Sequence, residues 1–332
     1  MATIYEVSKL AGVSLATVSR VINNNTKVSE KARNKVLEAM ELLQYKPNII
    51  AQSLASNRTN SVGILVCELH GEIFGHMMTG IESALRDSGK HVFIAAGHSD
   101  KDNEKQGIDF LVSRNCDAMI VNAEGVSDDF LVELSKKKTP VFIMSRWVAE
   151  IGELCISLDN ELGGYLATKH ILDSGHTNFV CVAGTQSKPD GKDRLAGYKR
   201  ALAEYDIPIA EKLIYYGDFT EPSGIDALKH FIAQKYAFTA VICANDEMAS
   251  GVMKYAREYG FKLPDDISII GFDNVKFSNH LYPSLTTIDY PIKEMGRMAA
   301  KFVLRDVYGE TEVESKNVFE PKLVLRDSVK NI

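Results

Sequence analysis

Four groups of polar and aromatic residues follow apolar runs of the sequence, at points where strands would end. These groups are Cys67–Phe74, Ser145–Trp147, Asn245–Asp246 and Asp273–Asn274. A carboxylate can accept hydrogen bonds from two adjacent hydroxyls, an amide both donates and accepts, and an aromatic ring can stack on the apolar face of a pyranose. In an open α/β sheet, ligands bind beyond the carboxyl ends of the strands. The four groups therefore predict a site for a hydroxyl-rich small molecule.

Some of these residues also have an ordinary structural explanation. Asp246 stands where it could cap the helix that follows, and this role is favoured over ligand binding. Asp273 could serve only to cap a turn. Trp147, the one tryptophan of the chain, could form a wall of the site or cover the protein surface.

A different chemistry is indicated near the N-terminus, where Thr3–Asn23 reads TIYEVSKLAGVSLATVSRVIN. Tyr5–Leu10 has the spacing of a short helix, Gly12 permits a chain reversal, and Ser14 can cap a second helix. The apolar stripe of the second helix is formed by Val18, Val21 and Ile22. Its outer face carries Leu15, Ala16, Ser19 and Arg20. This arrangement is a helix-turn-helix, whose second helix enters the major groove of DNA.

A third helix and a short connecting segment follow. Ser29 is placed to cap a helix over residues 30–43, and Pro47 ends it because a proline disfavours helix at the preceding residue. Asn48 can cap one further helix over 49–56, which is so short that it is marginal alone in water. The sequence thus predicts a DNA-binding head over residues 1–47, then a hinge helix and linker over 48–60.

From Ser61 the pattern changes to short apolar runs separated by longer amphipathic segments. The runs are 62–66, 91–96, 118–121, 141–144, 155–158, 179–184, 240–243 and 267–272. The segments between them read as helices over 75–88, 101–114, 127–137, 161–174, 192–205, 222–235 and 246–259. Continuous apolar strands that alternate with helices are typical of parallel sheets covered on both faces. Two such sets predict a body of two doubly wound α/β lobes.

The N-terminal string also carries a resemblance to a known family. Its pattern A-G-V-S-x-x-T-V-S-R-V-[IL]-N is highly specific, and residues 2–58 resemble the DNA-binding head of the lactose/galactose repressor family. The likeness continues to the C-terminus, with the galactose and β-glucoside operon repressors most similar in appearance. The resemblance implies an all-α helix-turn-helix head and an α/β, periplasmic-binding-protein-like body of two parallel-sheet lobes.

The resemblance implies that the head and the hinge bind DNA. Leu15, Ala16 and Arg20 would read the operator, Arg20 by a bidentate bond to guanine and Leu15 through a thymine methyl. Four residues would hold phosphates and fix the register: Ser14, Thr17, Ser19 and Asn23. In the family the hinge helix, which Asn48 opens, orders when two copies pair on DNA. Leu54 would insert into the minor groove at the centre of a near-palindromic site, although it could instead pack on the body.

The resemblance also assigns ligand-binding positions in the second lobe. Arg194, Asn245 and Asp273 fall where polar side chains of the family reach the effector. Phe219 falls on an aromatic wall. For Arg194 a surface position and for Phe219 a plain core position are the structural alternatives.

Four further ligand positions belong to the first lobe and to a crossover between the lobes. Phe74 matches an aromatic of the opening loop, and Tyr290 a cleft-facing position at a crossover. Trp147 follows the fourth strand. Ser145 stands where many relatives have Asp or Asn, and this departure leaves the identity of the ligand open.

Family members cross between their lobes three times. In this sequence the crossovers are expected near residues 158–160, 287–291 and 319–322, and a last helix over 292–307 returns to the first lobe. The first lobe would then comprise 61–158 plus 289–320, and the second 159–288 plus 321–332.

The composition is that of an ordinary soluble globular protein, with 45% hydrophobic and 25% charged residues in 332. No apolar run approaches a membrane span and the N-terminus is not a signal peptide, so we expect a cytoplasmic protein that joins the nucleoid when it binds DNA. Residues 1–60 hold eight Lys/Arg against four Asp/Glu, a net charge of +4, and because the whole chain carries −6 the remainder carries −10. A basic head on an acidic body suits a protein whose head alone binds phosphates.

Several other site classes are disfavoured. The five cysteines are scattered without a C-x-x-C and are expected to be buried free thiols. The eight histidines lack metal-binding spacing, so no metal site is expected. There is no G-x-G-x-x-G loop and no G-x-S-x-G elbow, and we expect no catalytic residues and no cofactor.

Together these features predict a sequence-specific transcriptional repressor, a homodimer or tetramer, whose operator affinity is controlled by a hexose or hexoside that acts as inducer. Within the same class, the alternative is a purine-responsive regulator that needs a corepressor. At Phe219 and Trp147 this sequence resembles such a regulator. A plain sugar-binding or transport module is the alternative from another class. The sequence does not specify the operator or the regulated genes.

Overall fold

The computed structural model describes residues 2–22, 27–46, 58–310 and 315–332. The chain forms two compact units, a head over Met1–Asn60 and a body over Ser61–Ile332. The hinge helix expected over 49–56 lies outside the described residues, as do Asn23, Asn48 and Leu54.

The described part of the head contains the helices α1 (Ile4–Ala11), α2 (Leu15–Ile22) and α3 (Glu30–Leu42). Gly12 reverses the chain between α1 and α2 with a φ of 64°, a left-handed value that suits glycine. The buried core of the head consists of small and branched side chains: Val7, Ala11, Val18, Val21, Val36 and Ala39. The helix-turn-helix and the third helix predicted from the sequence are confirmed.

The body is built on two parallel sheets, of six strands in the order β11-β5-β4-β3-β1-β2 and of four strands in the order β7-β6-β8-β9. The first sheet contains β1 (Ser61–Val66), β2 (His91–Ala96), β3 (Ala118–Val121), β4 (Val141–Met144), β5 (Cys155–Leu158) and β11 (Val318–Phe319). The second contains β6 (Phe179–Ala183), β7 (Ile214–Tyr216), β8 (Ala240–Cys243) and β9 (Ser268–Ile270). A short antiparallel pair is formed by β10 (Thr287–Asp289) and β12 (Lys322–Val324).

Eight helices of the described body accompany these strands. They are α4 (Glu72–Asp87), α5 (Lys101–Ser113), α6 (Asp128–Ser135), α7 (Asn160–Asp173), α8 (Pro189–Glu204), α9 (Glu221–Ala233), α10 (Asp246–Tyr259) and α11 (Ile292–Tyr308). Strands such as β1, β3, β4 and β6 are buried along their whole length, as parallel strands covered on both faces must be. The predicted fold class is confirmed.

The chain passes between the two lobes at three places. After β5 of the first sheet, α7 packs against α8 in the second lobe. After β10, α11 returns to pack against α4 of the first lobe. Finally β11 pairs with β5, and β12 pairs with β10.

Several elements differ from the sequence prediction, including the short strands β7, β10, β11 and β12, the start of α8 and the cap of α10. The pattern does not predict β7, because Ile-Tyr-Tyr is short and only its first residue is buried. Helix α8 begins at Pro189 and not at 192, since proline is favoured in a first turn. The cap of α10 is Asn245, whose Oδ1 accepts a hydrogen bond from the Met248 amide at 2.9 Å. The prediction that Asp246 is the cap was wrong by one residue.

All five cysteines are buried and free, as predicted. Burial raises the pKa of the Cys181 thiol to about 12. This thiol is therefore protonated at neutral pH and packs as a small apolar side chain.

Candidate ligand cleft and DNA-binding surface

The body contains a cleft with a cavity volume of about 80 Å³, which collects residues from the carboxyl ends of β1, β3, β4 and β6. Its apolar lining is Ile73, Phe74, Met77, Ala123, Pro189 and Ile292. Its polar lining is Asn122, Glu124, Ser145, Arg146, Asp190 and Tyr290. A cleft with an apolar wall and a few convergent polar groups is suited to a small-molecule ligand.

The cation and the carboxylate predicted for the site form a buried ion pair. Arg194 Nη1 lies 3.2 Å from Asp273 Oδ1, and the two side chains are only 5% and 11% exposed. The guanidinium group also donates from Nε to Asn160 Oδ1 at 3.0 Å and from Nη1 to the Ala244 carbonyl at 2.6 Å. It stacks on the Phe272 ring at 3.7 Å from the centroid. Burial raises the pKa of the Asp273 carboxyl to about 7, although Arg194 acts in the opposite direction. Asp273 therefore changes charge close to neutral pH.

Asn245 and Phe219 come together beside this pair. Asn245 caps α10 with its Oδ1, and its Nδ2 donates to the Phe219 carbonyl at 2.8 Å. Phe219 has a φ of 72°, which is unusual for a bulky residue, and the Asn245 bond holds this conformation. The Phe219 ring centroid lies 5.8 Å from the Arg194 guanidinium carbon. The Asn245 amide is therefore already engaged within the protein, and its ligand role stays a prediction.

Asp246 has a different structural role from the predicted cap. Its buried carboxylate accepts a hydrogen bond from the Thr287 hydroxyl at 2.6 Å and another from the Val275 amide at 3.0 Å. Burial raises the pKa of this carboxyl well above its usual value. Asp246 thereby ties the turn that follows Asp273 to strand β10 at the crossover.

The predicted residues of the first lobe meet the crossover at the lining of the cleft, where the Tyr290 ring centroid lies 5.9 Å from the Arg194 guanidinium carbon. The Tyr290 hydroxyl donates to Ser145 Oγ at 3.0 Å. Burial raises the pKa of Tyr290 above its usual value, so this hydroxyl keeps its proton. Phe74 lines the same space. Phe74, Ser145 and Tyr290 are thus brought together as the sequence led us to expect, and their contact with a ligand stays a prediction.

Trp147 is not among the residues that line this cleft. Its side chain is 49% exposed, and its ring packs on Gly152, where an added Cβ would lie 2.7 Å from a ring atom. Of the two positions open to Trp147, it occupies the one at the protein surface.

The sequence reasoning missed charged residues in and beside the cleft. Glu124 and Asp190 line the cleft, and Lys188 Nζ lies 2.6 Å from Glu124 Oε2. They stand shortly after the apolar runs 118–121 and 179–184. The strand-end rule applied to these two runs would have found them.

A buried acid shapes the loop that carries Glu124. The Glu104 side chain is fully buried, and its two carboxylate oxygens accept hydrogen bonds from the amides of Glu124, Gly125 and Val126 at 2.8–2.9 Å. These charge-assisted bonds satisfy the carboxylate without a cation. They fix the loop that follows β3 at the edge of the cleft.

On the head, the residues assigned to operator reading share an exposed face of α2. Ala16, Ser19 and Arg20 are exposed, and Leu15 is 37% exposed although it is apolar. The Ser14 hydroxyl caps α2 by accepting a hydrogen bond from the Thr17 amide at 3.2 Å. The face therefore offers an arginine and a leucine to a partner while the cap is satisfied within the protein.

Two classes of feature are absent from the described ranges. No group of three or more His, Cys, Asp or Glu residues there could hold a metal ion. No helix in those ranges is both long and apolar enough to cross a membrane.

A helix-turn-helix head followed by a two-lobed body with a cleft defines a class: DNA-binding regulators that carry a ligand-binding domain. Comparison with known proteins agrees with this class. The family model for bacterial regulatory proteins of the lacI family matches residues 3–48, and the model for the periplasmic binding protein-like domain matches residues 168–329.

Relatives align over the whole chain. The HTH-type transcriptional regulator GalR of Escherichia coli (strain K12) is 39% identical over 329 residues, covering 99% of this chain and 96% of its own length. The HTH-type transcriptional repressor PurR of Vibrio campbellii is 33% identical over 335 residues, covering all of both chains. The crystal structure of the Lac repressor dimer bound to operator and the anti-inducer ONPF has a TM-score of 0.86 at 29% identity, covering 99% of each chain. The chain belongs to the LacI family and is a DNA-binding transcriptional repressor with a ligand-binding domain.

Proposed function

We propose that this repressor binds a near-palindromic operator as a homodimer and that a hexose or hexoside in the cleft of the body acts as its inducer. The observation that carries this proposal is the composition of the cleft. The Tyr290–Ser145 hydroxyl pair and the Asp190 carboxylate face the same space as the apolar side chains of Phe74 and Ile73. A pyranose has hydroxyls for the first set and an apolar face for the second.

The effector acts without a further cofactor in this proposal. The ligand contacts both lobes, so its binding shifts the balance between open and closed bodies. The shift is limited by the difference between its affinities for the two states. Movement of the first lobes at the dimer interface then prevents the hinge segments from pairing on DNA. Because its target is DNA, we place the protein in the cytoplasm.

A homodimer is supported by the edge of the first sheet. Strand β2 pairs only with β1 within the described body, and its central residues Phe93 and Ile94 are 41% and 42% exposed. An exposed apolar edge strand is a surface that proteins normally cover. A second copy of the chain is the partner that a near-palindromic operator requires. Light scattering of the full chain distinguishes a dimer from a monomer or a tetramer.

Thermal unfolding against a ligand panel tests the class of effector. The panel contains galactose, glucose, β-glucosides, ribose, hypoxanthine and guanine. A ligand at about a hundred times its dissociation constant stabilises the folded body by roughly 2.7 kcal/mol, which is a readily measured shift. Stabilisation by a hexose or β-glucoside supports the proposal.

Purine corepression is the second candidate function, and one observation favours it. The Phe219 ring lies beside the Arg194 guanidinium group, where a flat base could also stack. Stabilisation by hypoxanthine or guanine alone, with tighter operator binding in their presence, would replace the sugar model by this one. If no member of the panel stabilised the protein, both the sugar model and the purine model would be rejected.

A further inference from the structure

The cationic groups at the cleft are neutralised within the protein. Among the described residues, Arg146 lines this cleft, and two further cations lie next to its lining: Lys188 beside Glu124 and Arg194 beside Tyr290. Each of the three has a carboxylate partner. The pairs are Arg146 Nη2 with Asp128 Oδ1 at 2.6 Å, Lys188 Nζ with Glu124 Oε2 at 2.6 Å and Arg194 Nη1 with Asp273 Oδ1 at 3.2 Å.

Two of these cations are committed by further bonds. Arg146 is only 12% exposed, and its Nη1 donates to the carbonyls of Ala123 and Val126 at 3.4 and 2.8 Å. Arg194 donates to the Ala244 carbonyl and to Asn160 in addition to its carboxylate. Both guanidinium groups thus hold the walls of the cleft in place.

Asp190 is the exception among the charged residues of the cleft. It lines the cleft, and in the described ranges no Lys or Arg nitrogen lies within 4 Å of its carboxylate. Its Oδ1 accepts one hydrogen bond, from the Gly191 amide at 2.8 Å. The remaining acceptor capacity of this carboxylate is available to a ligand in the cleft.

We propose that Asp190 is a specificity-determining residue, which selects an uncharged sugar and excludes its phosphorylated form. The inference rests on the proposed sugar effector and narrows its chemical class. Sugar hydroxyls can donate to the Asp190 carboxylate, which is a strong charge-assisted bond. A phosphate would be repelled by the same carboxylate, and to bind Arg146, Lys188 or Arg194 it would have to break an existing ion pair.

Isothermal titration calorimetry of the full chain tests this inference. The probes are D-galactose, D-glucose and methyl β-D-glucoside, together with galactose 6-phosphate and glucose 6-phosphate. We expect at least one neutral sugar to bind at least about 100-fold more tightly than the corresponding phosphate. Asp190→Asn removes the charge of the side chain and keeps its shape. It should therefore lower the affinity for the neutral sugar and raise the affinity for the sugar phosphate, each by about tenfold.

Two further variants complete the design. Glu124→Gln releases Lys188 from its ion pair and should also strengthen sugar phosphate binding about tenfold, without any change at Asp190. Asp109→Asn removes an exposed carboxylate of α5 and should leave every affinity unchanged.

The outcomes separate this inference from the proposed function. A sugar phosphate that binds the unmodified chain as tightly as its parent sugar would overturn the role of Asp190 and leave a sugar effector standing. If Asp190→Asn kept the same preference for the neutral sugar over its phosphate, the role of Asp190 would also be overturned and the sugar effector would stand. If no sugar binds with or without phosphate, the sugar-gated function fails and the selectivity fails with it.

Discussion

The Lys188 ammonium group lies 2.6 Å from the Glu124 carboxylate, and this ion pair connects the second lobe directly to the first. Glu124 also accepts a hydrogen bond from the Ser99 hydroxyl at 2.6 Å. Burial alone would lower the pKa of Lys188, but Glu124, with Asp190 and Cys67, raises it above its usual value. The pair therefore stabilises the arrangement of the two lobes in this structure.

Removing this connection should weaken effector binding. In Lys188→Met this arrangement loses one partly exposed ion pair, so we expect the affinity for the neutral sugar to fall by less than about tenfold. Calorimetry measures the change. Lys199→Met is the matched control, because the Lys199–Glu211 pair lies within the second lobe. An affinity that is unchanged or higher in Lys188→Met would show that the pair does not stabilise the arrangement that binds the sugar.

Effector binding should depend on pH through Asp273. Burial raises the pKa of this carboxyl to about 7 in the folded protein, so it accepts hydroxyl hydrogen bonds fully only above neutrality. We expect sugar affinity to rise between pH 6 and pH 8, by at most about tenfold per pH unit. Asp273→Asn should flatten the profile. A profile that is equally steep in this variant would assign the titration to another group.

The same shift predicts the pH dependence of stability. The folded-state pKa of Asp273 lies above the unfolded value, so the folded state binds more protons between about pH 4 and pH 7. The contribution of Asp273 to the free energy of unfolding is therefore full below this window and is lost as pH rises through it. Urea unfolding of the unmodified chain and of Asp273→Asn at pH 5 and pH 8 measures the difference. If Asp273 contributed more to the free energy of unfolding at pH 8 than at pH 5, the predicted direction of the pH dependence would be wrong.

Arg194 should matter to stability as well as to binding. Arg194→Ala leaves the Asp273 carboxyl buried without its cation and the Ala244 carbonyl without its donor, and breaking a buried pair costs about 3–5 kcal/mol. Arg200→Ala on the same helix removes a pair with Glu161 whose side chains are 41% and 46% exposed, and it should cost less than about 1 kcal/mol. Equal losses in urea unfolding would contradict the structural role of the Arg194 pair.

On the head, Arg20 should carry sequence preference. Arg20→Ala should lose about 1–3 kcal/mol of discrimination at one operator guanine, because a bidentate contact is removed. Lys31→Ala changes an exposed residue of α3 and should leave the preference intact. Selection of binding sites from random DNA measures the preference of each variant. If Arg20→Ala and the unmodified chain selected the same DNA sequence, residues other than Arg20 would be responsible for base recognition.

The strands and helices were predictable because their signals are local. The runs over 118–121, 141–144, 155–158 and 240–243 are continuous and apolar, and each is a strand with the same bounds. Ser14 and Ser29 cap their helices as their hydroxyls predict. Such features depend on a few neighbouring residues and not on distant parts of the chain.

The charge pattern of the cleft was not predictable in the same way. The pairing of Lys188 with Glu124 depends on how two loops of different lobes approach each other, and no periodicity records that. Asn245 and Asp246 are adjacent, and which of them caps α10 is decided by the burial of Asp246 against Thr287. Long-range packing therefore determined which of these residues pair and which one caps the helix.

The central claim is that a sugar in the cleft controls operator affinity. The most direct test selects an operator from random DNA with the full chain and then measures fluorescence anisotropy of that operator with and without the neutral sugar that binds best. The account predicts a near-palindromic operator and a loss of affinity of at least about tenfold when the sugar saturates the cleft, within the usual range of coupling between two sites. An operator affinity that the bound sugar leaves unchanged, or makes tighter, would contradict it.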